Sequence, residues 1–413
     1  MLAPVSRNLK SHPFRQIVCL LAIVAAGAVI VMWVRNRLDE LPPGVARSDY
    51  KRAAIAYRSV YNKNPSRMDV LSYLGELSVA QGDLELAASC FRAIPVSDEQ
   101  YGLSARVQLG QILIKLNRAV KAEATLREFL NYSEQSSKGR NEDVVAALQW
   151  LKYLMSVELR LEERAVFLAR LHELGRASIF DSKQYYFPHL LLWETVKGRE
   201  ELRDFLKEAP DDVQLLVAEG RYLTGEGHLE QARLHLETLM QRTPKDLACL
   251  AALLECHYER NDWESFQQVL QKLPADAPDE PRLLLLMKGE FALHQENWKA
   301  AVVQFEKLLA EEPAHVTACL GLSRAYGQLG RREQSRHFQE RTRVLSRIRP
   351  QLVDVTESNP SACEKLAEQC DSIGYQEAAA TFRRHAERIQ RHAKHTRHHP
   401  PQRQLEPRGE RPR

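Results

Sequence analysis

The feature that most constrains this chain is a helix-turn-helix pattern that returns four times. The four stretches read LSYLGELSVAQGDLELAASCFRAI from Leu71, LVAEGRYLTGEGHLEQARLHLETL from Leu216, LLMKGEFALHQENWKAAVVQFEKL from Leu285 and CLGLSRAYGQLGRREQSRHFQERT from Cys319. The last two begin 34 residues apart. In each, two amphipathic segments of helix length meet at a short polar turn: Gly82-Asp83, Gly227-His228, Glu296-Asn297 or Gly330-Arg331. A fixed period of this kind means stacked supersecondary units, each burying a face that it cannot bury alone. No strand-like alternation of apolar and polar residues is present anywhere, so the expected class is all-α.

A small residue on the first helix (Gly75, Gly220, Gly289 or Ser323) is expected to face a small residue on the second (Ala87, Ala232, Ala301 or Ser335), which lets the helices pack closely. Phe91, Leu236 and Phe305 hold one common position on the second helix, and Pro244 and Pro313 stop that helix. On these residues the units resemble the tetratricopeptide repeat, a 34-residue helix-turn-helix with small, large and Pro at such positions. The fold implied is a tetratricopeptide-like α-solenoid. Weaker copies fill the gaps: Ala53, Tyr57 and Pro65 suggest the second helix of a leading unit, and Leu109, Gly110, Leu113, Ala122 and Leu126 another unit. Leu250, Leu253, Leu254, Phe266 and Leu270 suggest a further one, and Leu366, Ala367, Gly374 and Ala379 a last.

The organisation expected is repeats over 35–132, degenerate helical repeats over 133–210, repeats over 211–345 and a terminal repeat or cap over 346–388. Residues 143 to 210 are helical in pattern but fit the repeat poorly, as two degenerate units or one irregular hairpin. Ser133 to Asn141 (SEQSSKGRN), the Tyr185-Tyr186-Phe187-Pro188 stretch and Arg343 to Pro360 are candidate breaks, because the final unit starts 44 residues after its predecessor.

Ahead of the repeats, after a short basic segment 1–15, Ile17 to Val34 is an uncharged apolar run of 18 residues flanked by Arg15, Arg35 and Arg37. As a helix it extends ~27 Å, close to the hydrocarbon thickness of a bilayer. Trp33 suits the interface. The expectation is one transmembrane helix over 16–34 acting as an uncleaved signal anchor, the main rival being a cleaved signal peptide. The N-terminus is placed inside and the body outside the cytoplasm, making a single-pass membrane protein. Seven cysteines without a paired framework pull mildly against that orientation.

Charge excludes a further class. The net charge of +4, less +3 in residues 1–34 and +5 in the last 25, leaves −4 for residues 35–388, so the body does not read as a nucleic-acid binder. The tail over 389–413 (IQRHAKHTRHHPPQRQLEPRGERPR) is basic, Pro-rich and nearly free of apolar residues, and is expected to be disordered. Its arginines offer RNA or anionic-lipid binding, and its His392, His395, His398 and His399 a divalent metal, but a solubilising end is the expectation adopted. No phosphate-binding loop, dinucleotide glycine pattern, zinc-protease helix, nucleophile elbow or Cys-x-x-Cys is present, so no catalytic residue, cofactor or metal is assigned. Cys249 and Cys256, and Cys363 and Cys370, lie seven apart, about 10 Å along a helix and too far for a disulfide; buried small hydrophobes are expected.

The resemblance implies a non-catalytic scaffold or adaptor whose first helices line a groove for proteins or peptides. By register, this points to Arg221, Glu255, Tyr258, Glu290 and Arg324, with Leu293 as an apolar neighbour. Any one of them alone is an ordinary helix-surface residue; the group is the candidate. The carboxylate clamp of chaperone-binding members is absent, since the matching positions are Asp69, Ser72 and Glu76 in one unit and Gln214, Val217 and Arg221 in another. The alternatives are a regulatory or targeting subunit of an envelope biosynthetic or cytochrome-maturation complex, and an RNA- or lipid-binding protein acting through the tail.

Overall fold

The computed structural model describes residues 67–136, 139–191, 198–273 and 280–398, with the isolated positions Arg58, Ser59 and Asn62 ahead of them. Segment 1–15, the apolar run at 16–34, the leading half-unit at Ala53, Tyr57 and Pro65, and residues 399–413 lie outside the described residues. Among the described residues no helix is long and apolar enough to cross a membrane. Every described element is helical and no strand is present among them.

The local rules are visible at the first hairpin. Helix α1 (Met68–Gln81) ends because Gly82 takes φ 81°, a left-handed conformation that closes its N–H onto the last carbonyls of α1. Asp83 then caps α2 (Leu84–Ala93), its carboxylate accepting the Leu86 N–H at 3.1 Å. Gly227, Gly330 and Gly374 repeat the left-handed turn, and Asn117, Leu159, Asn261 and Glu296 adopt it without being glycine. The next helices are α3 (Gly102–Lys115), α4 (Ala119–Ser136) and α5 (Asn141–Val157).

The chain divides at Trp150/Leu151, inside α5, into two compact units. In the first, α1/α2 and α3/α4 are antiparallel hairpins and α2 packs on α3. Their interior holds Leu71, Leu74, Phe91, Leu113, Leu126 and Phe129, all essentially inaccessible.

The second unit contains α6 (Leu161–Glu173), α7 (Ile179–Tyr186), a 3-10 turn (His189–Leu191) and α8 (Gly198–Glu208). Five hairpins follow. They are α9 (Val213–Gly225) with α10 (Leu229–Arg242), α11 (Leu247–Glu259) with α12 (Trp263–Leu270), and α13 (Arg282–His294) with α14 (Trp298–Glu311). The last two are α15 (Val316–Gln328) with α16 (Arg332–Gln351), and α17 (Pro360–Ser372) with α18 (Gln376–His398). First helices α9, α11, α13 and α15 pack on one another in sequence order.

The groups nearest the missing side chains of the first helices are large ones, and at the last unit the Ser335 hydroxyl donates to Ser323 O at 2.8 Å. Elsewhere the absent side chain makes room for the large one: a Cβ on Gly75 would lie 2.6 Å from Phe91, on Gly220 2.4 Å from Leu236, and on Gly289 2.5 Å from Phe305. Ala87, Ala232 and Ala301 are buried. Within Ser133 to Asn141, α4 runs through Ser133 to Ser136 and α5 starts at Asn141, while the two compact units meet at Trp150/Leu151.

Within Arg343 to Pro360, α16 continues to Gln351, so this long second helix takes up the extra spacing. Its last turns are held by Val344, Leu345 and Ile348, which are buried. Likewise α18 runs through Ile389 to His398, taking in residues 389–398 that composition assigned to a disordered tail. Ile389 packs on the core, Arg388 pairs with Glu357 at 3.0 Å, and Gln390 donates to Glu364 at 2.8 Å. All six described cysteines are free and buried.

Candidate functional site

Residues 151–191 are bonded to helices far along the chain. They run across the first-helix ends of the hairpins that follow and form a strap of the second unit. The Tyr222 hydroxyl on α9 donates to Val157 O at 3.1 Å, and Arg221 Nη1 donates to Leu159 O at 3.3 Å. The first N–H of α13, from Arg282, is accepted by Glu162 at 2.9 Å, and the first N–H of α15, from Val316, by His189 Nε2 at 3.2 Å. Each of these satisfies a donor that a helix start leaves without an intrahelical partner.

Helix α7 finishes the strap against the last hairpin. Ser182 and His385 Nε2 are 2.7 Å apart, and the hydroxyls of Tyr186 and Thr381 are 2.9 Å apart. Ile179, Tyr186, Phe187 and Leu190 share one buried cluster with Cys319, Leu345, Cys370 and Phe382. The Ser178 and Asp181 capping box sets the start of α7. Asp181 also receives Lys152 Nζ at 2.5 Å. Burial works against the Asp181 charge, but Lys152 and the Ser178 bonds outweigh it and hold the carboxyl below its ordinary range.

The candidate groove residues therefore fall into two groups. Arg221 and Glu255, one repeat apart on α9 and α11, form a two-point pair with Nε–Oε2 at 2.9 Å and Nη2–Oε1 at 3.3 Å. Their side chains are only 11% and 16% exposed. Burial opposes the Arg221 charge, yet the Glu255 carboxylate more than compensates and raises the guanidinium above its ordinary value. Both side chains thus serve the internal structure, holding α9, α11 and the strap together.

Tyr258, Glu290 and Arg324 form the second group, on α11, α13 and α15. The Tyr258 hydroxyl donates to Glu290 Oε2 at 3.4 Å. Burial pushes the Tyr258 phenol up to about 12 and raises the Glu290 carboxyl, the latter opposed by the Arg324 charge. Arg324 is exposed and has no ion-pair partner among the described residues, and Leu293 is half-buried against the α13–α16 core. The aromatic side of this group is extended by Trp263, which stacks on His294 with centroids 4.0 Å apart and planes 7° from parallel.

Between the strap and the first helices lies a cavity of about 1050 Å³ lined by Glu158, Arg160, Glu163, Arg221, Glu255 and Arg282, among others. Its charges are mostly matched within the protein: Arg160 pairs with Glu158 and Glu163, and Arg282 with Glu311. At its edge His189, Glu312 and His315 bring possible ligand atoms within 4.8 Å of one another. The arrangement does not fit a metal ion. The two imidazoles are stacked, 4.3 Å between centroids and 13° from parallel, so their in-plane lone pairs run side by side and do not converge on a point ~2 Å from both. Because His189 Nε2 accepts the Val316 N–H, its proton sits on Nδ1 and is donated to Glu312 at 2.7 Å, which leaves no lone pair for a metal. His315 Nδ1 is occupied by the Ala318 N–H at 3.3 Å.

The strap was not legible in the sequence. Its residues carry helical periodicity, but partners 60 to 200 positions away leave no periodic trace; the misfit of 143–210 to the repeat was the only signal.

Comparison with known families agrees with the hairpin geometry. Residues 45–102 and 223–288 each match a family model described as tetratricopeptide repeat, so the chain carries tetratricopeptide repeats in both of its units. No curated protein matches the chain. Among solved structures, it is similar to a tetratricopeptide repeat protein from Parabacteroides merdae, at 14% identity over 62% of this chain and 98% of that one, with a TM-score of 0.32. It is also similar to human IFIT1 in a dimer with m7Gppp-AAAA, at 14% identity over 85% of this chain and 83% of that one, TM-score 0.35. A third is the APC/C hetero-tetramer Cut9-Hcn1, at 12% identity over 91% of this chain and 82% of that one, TM-score 0.32. At these TM-scores the three likenesses carry no inference about partners.

Proposed function

We propose that the protein is a non-catalytic interaction scaffold, fixed at a membrane by residues 16–34 with its repeats outside the cytoplasm, and that it binds protein or peptide partners along α11, α13 and α15. The observation that carries the binding site is the ladder Tyr258, Glu290, Arg324. These residues come from three successive first helices, so their side chains recur at repeat spacing, and Arg324 is an exposed guanidinium with no ion pair among the described residues. A partner carboxylate can pair with Arg324 while an apolar side chain rests on Leu293. Arg221 and Glu255 are assigned a structural role, since opening their pair to a ligand would strand two half-buried charges.

The test is affinity capture on the detergent-solubilised full-length protein, with mass spectrometry across a salt series. A discrete protein that survives moderate salt, and is lost from the Glu290→Ala/Arg324→Ala variant while the unfolding transition stays in place, supports the scaffold and its site. Identical eluates from wild type and variant overturn the site. Recovery of only RNA or anionic lipid, released by salt, overturns the scaffold.

A further inference from the structure

Helix α16 carries an arginine face whose single ion pair among the described residues is with Glu340 of its own helix. Between Arg331 and Gln351 there are seven arginines and two glutamates. At 100° per residue, Arg332, Arg336, Arg343 and Arg347 fall within an arc of about 60° and extend ~22 Å along the axis. All four are exposed. Ser335, Val344, Leu345 and Ile348, on the remaining sides, are buried, so the stripe points away from the core.

Of the other three arginines of this segment, Arg349 is exposed and two have internal work. Arg341 donates to Pro313 O at 2.8 Å and Arg331 lies over the Tyr326 ring, 5.7 Å from its centroid. Arg332, Arg336 and Arg347 have no ion-pair partner among the described residues, and Arg343 has only Glu340 on its own helix. The contrast is with α10, the second helix of an earlier repeat. There Arg233 is held by both Glu230 and Glu237, and Glu230 also takes Arg260 from the neighbouring hairpin. Helix α10 thus neutralises its own arginine, whereas α16 leaves a straight row of cations.

We infer that the Arg332–Arg336–Arg343–Arg347 face of α16 docks on an anionic lipid surface. A row of guanidiniums matches a plane of phosphate headgroups in charge and in hydrogen-bond geometry. Single-stranded RNA is the poorer match, because it is gripped by aromatic rings placed among the cations. The stripe has none: Phe338 faces inward and stacks on Tyr326, and His337 sits on another side of the helix. The choice of a bilayer rests also on the anchoring segment in the proposed function, which keeps the chain at a membrane.

The experiment uses the full chain with phosphatidylcholine vesicles, with and without phosphatidylglycerol. Flotation on the neutral vesicles reads the anchor alone. Docking of α16 is read by energy transfer from a dye on Ser346→Cys, beside the stripe, to a headgroup-labelled lipid; the native cysteines of the described residues are buried. Transfer is expected to be higher on the anionic vesicles. It should fall to the neutral level in high salt and in the Arg332→Gln/Arg336→Gln/Arg343→Gln/Arg347→Gln variant, whose exposed substitutions leave the helical signal and melting unchanged. Equal transfer on both vesicle types, or transfer indifferent to the variant, overturns the inference. So does binding of labelled poly(U) that the variant abolishes while lipid proximity is unchanged.

If the chain does not float on neutral vesicles, the anchor reading fails separately. The stripe is then read by flotation on anionic vesicles, where each lost arginine lowers partitioning by about a factor of five. Equal flotation of wild type and variant there also overturns the inference.

Discussion

Phe305 sits between two missing side chains, and that arrangement sets a sign that unfolding experiments can read. A Cβ on Gly289, in the helix before, would lie 2.5 Å from the Phe305 ring, and one on Gly321, in the helix after, 2.3 Å from it. Carbon atoms rest about 3.5 to 4 Å apart. The ring would have to move by more than an ångström to accept Gly321→Ala, and Gly289 closes the other side. The overlap costs ~1–3 kcal/mol, against ~1 kcal/mol regained because alanine is the better helix former. Gly321→Ala is therefore expected to destabilise by about 1 kcal/mol in the native background. Phe305→Ala, which empties a fully buried site, costs ~3–5 kcal/mol. In that background the overlap is gone, and Gly321→Ala becomes stabilising by about 1 kcal/mol, a coupling of ~2 kcal/mol. The assay is guanidinium unfolding combined with amide exchange on α13 to α15, so that the reporting helices are the ones perturbed. If Gly321→Ala has the same sign with and without the ring, the account of why glycine stands there is refuted.

Four further outcomes follow from the geometry. Arg221→Ala leaves Glu255 half-buried and unpaired and releases Leu159 O; it should lower stability by roughly 2–3 kcal/mol, and Arg221→Ala/Glu255→Ala should recover part of that, as a double-mutant cycle of unfolding would show. His315 and His385 are buried and held down to about 4 from 6.5, chiefly by desolvation, so both are neutral in the native state. Their contribution is complete above pH 6.5 and is lost as pH falls toward 4, by up to roughly 3 kcal/mol each. His385→Gln should flatten that part of the stability profile, and an unchanged profile counts against the assignment. Glu296 turns the α13/α14 hairpin at φ 54°, where a side chain is strained, and is exposed; Glu296→Gly should raise the melting midpoint, by about 1 kcal/mol in stability. The same change at Leu159, φ 54° but buried, should destabilise, because the lost core side chain outweighs the relieved backbone.

The helices that repeat were legible because their signals are local. Turn residues such as Gly82 and Gly330, the Asp and Asn caps, and the spacing of Leu, Phe and Ala within a few turns all act over distances that a sequence pattern records. These residues specified an all-α chain of hairpins at a period near 34, and the family match over 45–102 and 223–288 agrees with them. The candidate site was legible only as a register: the period names which residues lie on first helices, and it treats Arg221 and Arg324 alike. Which of the two stays exposed depends on the strap over 151–191, whose bonds to Arg221, Arg282, Val316, Thr381 and His385 join segments far apart in sequence. The length of α18 was decided the same way, since a run that composition marks as tail becomes helix where Ile389 and Gln390 find partners on the preceding structure. Helix propensity and turn chemistry are properties of neighbours along the chain and are written in its order, whereas burial and pairing depend on what the folded chain brings alongside, which only tertiary packing settles.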